Sequence, residues 1–108
     1  MPVFEVLMLP VAFLDLDEIF DYILAENPQV ASSVLQNITQ SLNRLRNHPH
    51  SGSPLHERSL NKFHFRMVIV SPYIAFYRVI GNEVFIYRIL HGARNYPHLL
   101  KETLQDGG

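Results

Sequence analysis

The chain has 108 residues, no cysteine, and a formal net charge of -1. One domain spanning residues 1–108 fits that length, since domains commonly run to about 100–150 residues. Without cysteine there is no disulfide framework, zinc-thiolate site, iron–sulfur cluster or cysteine nucleophile. The apolar share of 47 % is too high for a disordered chain and large enough for a real core.

Charge is polarised along the sequence. Residues 1–43 carry Glu5, Asp15, Asp17, Glu18, Asp21 and Glu26 with no Lys or Arg. Residues 44–94 carry eight basic residues, Arg44, Arg46, Arg58, Lys62, Arg66, Arg78, Arg88 and Arg94, against Glu57 and Glu83. Local charge of one sign steers partners of the other. The first basic residue is Arg44 and no apolar run approaches the ~20 residues that span a bilayer. A soluble cytoplasmic protein is expected.

Val3 to Leu9 is β-branched and apolar and closes at Pro10, which predicts a first strand. Pro10 to Glu26 reads as a helix with Leu16, Ile19, Phe20 and Ile23 on one face. Asp15, Asp17, Glu18 and Asp21 stand toward its start, where the macrodipole favours carboxylates. Asn27-Pro28 restarts a helix expected to run to about Arg46, its stripe Ala31, Val34, Leu35, Ile38, Leu42 and Leu45. The short joint predicts an antiparallel helix hairpin.

Residues 48–57 hold Pro49, Gly52 and Pro54 and are expected to form an internal loop. His48, His50 and His56 lie in it, but no further ligand is identifiable, so no metal site is expected. No cofactor is expected either. Strands follow at Asn61–Ser71, Tyr73–Ile80 and Glu83–His91, the last two joined by Gly81-Asn82, which suits a two-residue hairpin turn. Pairing across it sets Val79 opposite Val84, Tyr77 opposite Ile86 and Ala75 opposite Arg88 on one face. Arg78 opposite Phe85 and Phe76 opposite Tyr87 fall on the other. Both faces are therefore apolar, and the second must be covered by the tail or by a partner. Pro97 starts a short C-terminal helix with Leu100 and Leu104 on one side, and residues 105–108 should fray. The expected fold is α+β: an N-terminal strand, an antiparallel two-helix hairpin, then an antiparallel strand meander with a short C-terminal helix or tail.

The order of elements, with four sets of residues, resembles the RelE/ParE superfamily of type II toxin–antitoxin toxins, closest to its ParE branch. The residues are Leu16-Asp17-Glu18-Ile19-Phe20-Asp21-Tyr22-Ile23; Asn27-Pro28 with Ala31; Leu45, Pro49 and Gly52; and Tyr77-Arg78-Val79 followed by Ile86-Tyr87-Arg88-Ile89-Leu90-His91-Gly92-Ala93-Arg94. The last set is similar to the family's signature and is the most specific; the resemblance covers nearly the whole chain. Asn95 stands where the family often has Asp. The third strand has Ile74 close to where ribosome-dependent RNase members carry an Arg.

The resemblance implies a growth-inhibiting toxin that binds and poisons DNA gyrase and is neutralised by a cognate antitoxin, as in plasmid-stabilising systems. Arg66, Arg78, Arg88 and Arg94 are the candidates for target binding. An acidic, partly disordered antitoxin segment is expected to fold on Phe76, Phe85, Tyr87 and Arg78. DNA binding is expected of the antitoxin and not of this chain. The alternative reading is a ribosome-dependent mRNA endonuclease. Cleavage through the ribose 2′-hydroxyl needs a base, an acid and a cation, and His91, Arg94, Tyr96 and Arg66 are the residues of suitable type, with Lys62 and His98 nearby in sequence.

Overall fold

In the computed structural model, residues 3–92 and 95–106 are described. Strand β1 (Glu5–Met8) leads into helix α1 (Pro10–Glu26). Pro10 occupies the first turn of α1, where its missing N–H costs no hydrogen bond. The first turn itself has no acidic residue, because Asp15 and its neighbours lie further along. Asn27 ends α1 in an extended-side conformation (φ -153°, ψ 79°), as a residue preceding proline must when α geometry is sterically disfavoured. Helix α2 (Pro28–Asn43) then returns, and a 3-10 turn at Arg44–Arg46 completes the last part of the expected helix. That tighter turn buries Leu45 and presents the Arg46 carbonyl to the Phe4 N–H at 2.9 Å.

Five strands form one sheet in the order β1-β5-β4-β3-β2, with β2 at Ser53–Pro54, β3 at Arg66–Val70, β4 at Tyr73–Ile80 and β5 at Glu83–His91. The first strand pairs parallel to the last and the remaining pairs are antiparallel. Ile80 pairs with Glu83 across the turn, where Gly81 supplies a positive φ of 60°.

Besides placing the short strand β2 (Ser53–Pro54) inside the segment expected as a loop, the structure corrects the sequence reading in two places. Asn61–Phe63 is not strand but the end of a 3-10 helix, Arg58–Phe63. Glu57 caps that helix by accepting the Ser59 N–H, and His64 ends it in the left-handed region (φ 57°). The strand therefore starts only at Arg66. The second correction is register. The pairs Val79–Val84, Tyr77–Ile86 and Arg78–Phe85 are as expected, but Phe76 pairs with Arg88 and Ala75 with Ile89. Tyr87 is the extra residue of a β-bulge, which local patterning does not reveal.

Each face of the sheet has its own core. Helices α1 and α2 pack Ala12, Leu16, Ile38 and Leu42 on Tyr77, Val84, Ile86 and Ile89. On the opposite face, the 3-10 helix and helix α3 (Tyr96–Gln105) bring Leu60 and Leu100 onto Phe65, Phe76, Tyr87 and Leu90. The surplus apolar face is thus covered from within the chain, and α3 is the short C-terminal helix expected from Pro97.

Candidate functional site

The bulge organises the signature segment. The bulge at Tyr87 sets Arg88 opposite Phe76 and Ile89 opposite Ala75. The Asp15 carboxylate accepts from Arg88 Nε at 2.7 Å, from a second guanidinium nitrogen at 2.9 Å, and from the Ile89 N–H at 3.0 Å. Both side chains are about nine-tenths buried. Such a fork-to-carboxylate pair fixes direction as well as charge. The hydrogen bond to Asp15 raises the Arg88 pKa above its ordinary range, against the opposing effect of burial. The register partner of Arg88 is Phe76 and not the expected Ala75.

The other arginines are also engaged. Arg66 donates to the carbonyls of His50 (3.0 Å) and Gly52 (2.7 Å). Beside it the buried Tyr77 hydroxyl donates to the Pro49 carbonyl at 2.8 Å and accepts the Gly52 N–H at 2.9 Å. Burial raises the Tyr77 pKa, partly offset by the Gly52 hydrogen bond and by Arg66. A Cβ on Gly52 would stand 2.5 Å from the Tyr77 oxygen and 2.8 Å from the Met67 carbonyl oxygen, so only glycine fits this latch. Arg78 donates to the Phe63 carbonyl at 2.9 Å and to the Tyr87 hydroxyl at 3.0 Å. Its guanidinium lies 5.5 Å from the Phe63 ring centre and 5.8 Å from that of Phe65.

Among the antitoxin candidates, Phe76 is fully buried and stacked on Tyr96 (5.1 Å between ring centres), and Tyr87 is buried edge-on to Phe65. Phe85 and Arg78 keep partial exposure. Among the nuclease candidates, Arg66 pairs with Tyr77 and His91 with Tyr73 on the intervening β4. That difference of four residues along one strand corresponds to roughly 13 Å. His91 is exposed and contacts the Tyr73 ring edge-on at 5.5 Å. His98 faces Glu102 on the exposed side of α3. Lys62 lies over the Phe63 ring, and Arg94 falls outside the described residues. Among the described residues, no three His, Asp or Glu side chains are grouped as a metal ion would need.

Sequence reading missed Asp15. Its signal was present: Ala12, Asp15, Leu16, Ile19 and Ile23 share one helical face, and a carboxylate within an apolar stripe calls for a buried partner. It also missed a cleft of about 650 Å³ between α1 and the end of β5, walled by Glu18, Tyr22, Tyr73 and His91, with Leu99 of α3 at its edge. Among the described residues no helix is long and apolar enough to cross a membrane.

A family model for the ParE toxin of the type II toxin–antitoxin system parDE matches residues 6–96. Among solved structures, the chromosomal ParDE system from P. aeruginosa is similar at 24 % identity and a TM-score of 0.70, covering 85 % of this chain and 99 % of that one. The RelBE2 toxin–antitoxin complex from Mycobacterium tuberculosis is similar at 19 % identity and a TM-score of 0.57, covering 82 % and 98 %. A mutant E. coli toxin RelE in the free state is similar at 14 % identity and a TM-score of 0.59, covering 96 % and 97 %. No curated protein gives a significant match.

Proposed function

The chain belongs to the ParE toxin family of type II toxin–antitoxin systems, and we propose that it inhibits growth in the cytoplasm by binding DNA gyrase, under the control of a cognate antitoxin. The observation that carries a binding mechanism over RNA cleavage is the dispersal of the nuclease candidates. Arg66 is occupied by loop carbonyls at one end of β3, and His91 stands roughly 13 Å further along the sheet. Tyr96 is stacked on Phe76 inside the α3 core. A general base, a general acid and a cation acting on one phosphate must lie within hydrogen-bond reach of the same few atoms. Protein recognition imposes no such convergence, and arginine and aromatic side chains are favoured anchors for it.

Of the target-binding candidates, Arg66, Arg78 and Arg94 remain the residues to test. Arg88 serves the α1–β5 junction. The antitoxin is a segment that folds on this surface, with Phe85 and Arg78 as its accessible contacts on the α3 face. Support for an antitoxin partner comes from the family and from the ParDE and RelBE assemblies whose toxins share the fold.

Two assays run on the purified chain test the reading. Gyrase supercoiling should be inhibited, with gyrase-linked DNA breaks accumulating, and adding the antitoxin should reverse this. Messenger RNA on translating ribosomes should stay intact. Cleaved messenger with unaffected gyrase would replace the reading with the nuclease alternative.

A further inference from the structure

The cleft between α1 and β5 has a chemistry that the gyrase and antitoxin reading does not use. Its apolar lining comes from Ile19, Ile89 and Leu90, with Leu99 at the edge. Its walls are aromatic: Tyr22, 66 % exposed on α1, and the Tyr73–His91 pair, whose rings meet edge to face at 5.5 Å. Among the described residues, the polar groups around it carry surplus negative charge. Arg88 is already satisfied by both oxygens of Asp15, while Glu18 lines the opening and Glu102 lies within electrostatic reach of Arg88. The exposed face of α1 extends this character, with Asp17 and Asp21 beside Phe13 and Leu14.

This combination selects against an anion. A phosphate entering the cleft would meet Glu18 and find Arg88 already paired. A cation is favoured by aromatic rings and by the exposed Glu18 carboxylate. An arginine or lysine also carries an aliphatic stem that an apolar lining can cover. Resting on the toxin–antitoxin reading above, we propose that the α1–β5 cleft receives one cationic side chain, arginine or lysine, of the cognate antitoxin segment. The contact anchors that segment on the helical side of the toxin, in addition to its contacts at Phe85 and Arg78.

Two arms test this on the full chain. In the first, N-acetyl-arginine methylamide is titrated against the isotope-labelled protein at constant ionic strength and followed by amide chemical shifts. Saturable shifts are expected around Glu18, Tyr22, Tyr73 and His91, and their loss in Tyr22→Ala and in Glu18→Gln. Absence of shifts in the native chain overturns the cleft as a cation receptor. In the second arm, affinity for the co-expressed antitoxin is measured by calorimetry. Glu18→Lys should weaken it by about tenfold or more, whereas Glu5→Lys, the same charge change on β1, should change it less than about twofold. Both positions are exposed, and unchanged thermal unfolding verifies the fold. A native-strength complex with Glu18→Lys overturns the proposed occupant while leaving the toxin–antitoxin reading standing. No complex with the native chain overturns both.

Discussion

Asp15 and Arg88 are the residues on which the signature segment turns. Removing one member of a buried ion pair strands the other charge, whereas replacing both with apolar groups of similar volume is often neutral. Asp15→Leu is therefore expected to cost about 3–5 kcal/mol in urea unfolding, and Asp15→Leu with Arg88→Met to recover most of that. A single-variant cost below about 1 kcal/mol would contradict a desolvated pair. It follows that loss of toxicity in an Arg88 variant reports the α1–β5 junction before it reports target contact. Tyr77 gives a second residue-scale prediction, with a sign. Its folded pKa is raised above the ordinary 10.0 by burial, so the unfolded chain ionises first. The contribution to stability is complete below pH 10 and is lost as pH rises above it, by at most about 1.4 kcal/mol per pH unit for one proton. Unfolding free energies measured from pH 8 to 11 should fall less steeply for Tyr77→Phe than for the native chain. Equal slopes would place the alkaline sensitivity elsewhere.

At the scale of elements, α3 decides which surface the toxin offers. Leu100 is fully buried against the core that contains Phe76 and Tyr87. Leu100→Ala should cost about 2–5 kcal/mol as a cavity on this face. Hydrogen exchange should localise the loss to α3 amides and to β4 and β5; uniform loss over α1 and α2 would show that the two cores are not separable. The helices, the hairpin and α3 were legible in the sequence because each is punctuated by proline or glycine and carries one clear period. Asn27-Pro28 and Gly81-Asn82 place their boundaries to the residue. The bulge at Tyr87 was not legible, since an inserted residue leaves both strands apolar, and Asp15, which binds Arg88 just beyond it, lies seventy-three residues from Arg88. The 3-10 helix was missed because Asn61–Phe65 alternates like a strand, while its cap at Glu57 lies within the expected loop. The cleft was invisible for a related reason: Glu18, Tyr22, Tyr73 and His91 come from three elements, and only the α1–β5 packing brings them together.

Across the whole molecule, a net charge of -1 conceals poles of different kinds. The acidic pole is spatially coherent: Asp17, Glu18, Asp21 and Glu26 are all exposed on α1, and Asp15 alone of that helix is withdrawn into the fold. The basic pole is not. Arg66, Arg78 and Arg88 are spent on carbonyls, a hydroxyl and a carboxylate. Among the described residues, the exposed cations divide between the turn after α2 (Arg44, Arg46), the 3-10 helix on the other face (Arg58, Lys62) and Lys101 on α3. Long-range steering should therefore originate at α1. Exposed charges separated by more than about 10 Å are largely screened at 0.1 M salt, and steering acts on association more than on dissociation. For the acidic antitoxin segment that the resemblance implies, this pole is repulsive, so stopped-flow association at 20 mM salt should be slower than at 300 mM, while dissociation changes little. Asp17→Lys with Asp21→Lys should flatten that dependence, because it removes the pole without touching the cleft walls. A salt dependence confined to dissociation would mean that the acidic face makes contact without guiding approach, and α1 would then act through the cleft alone.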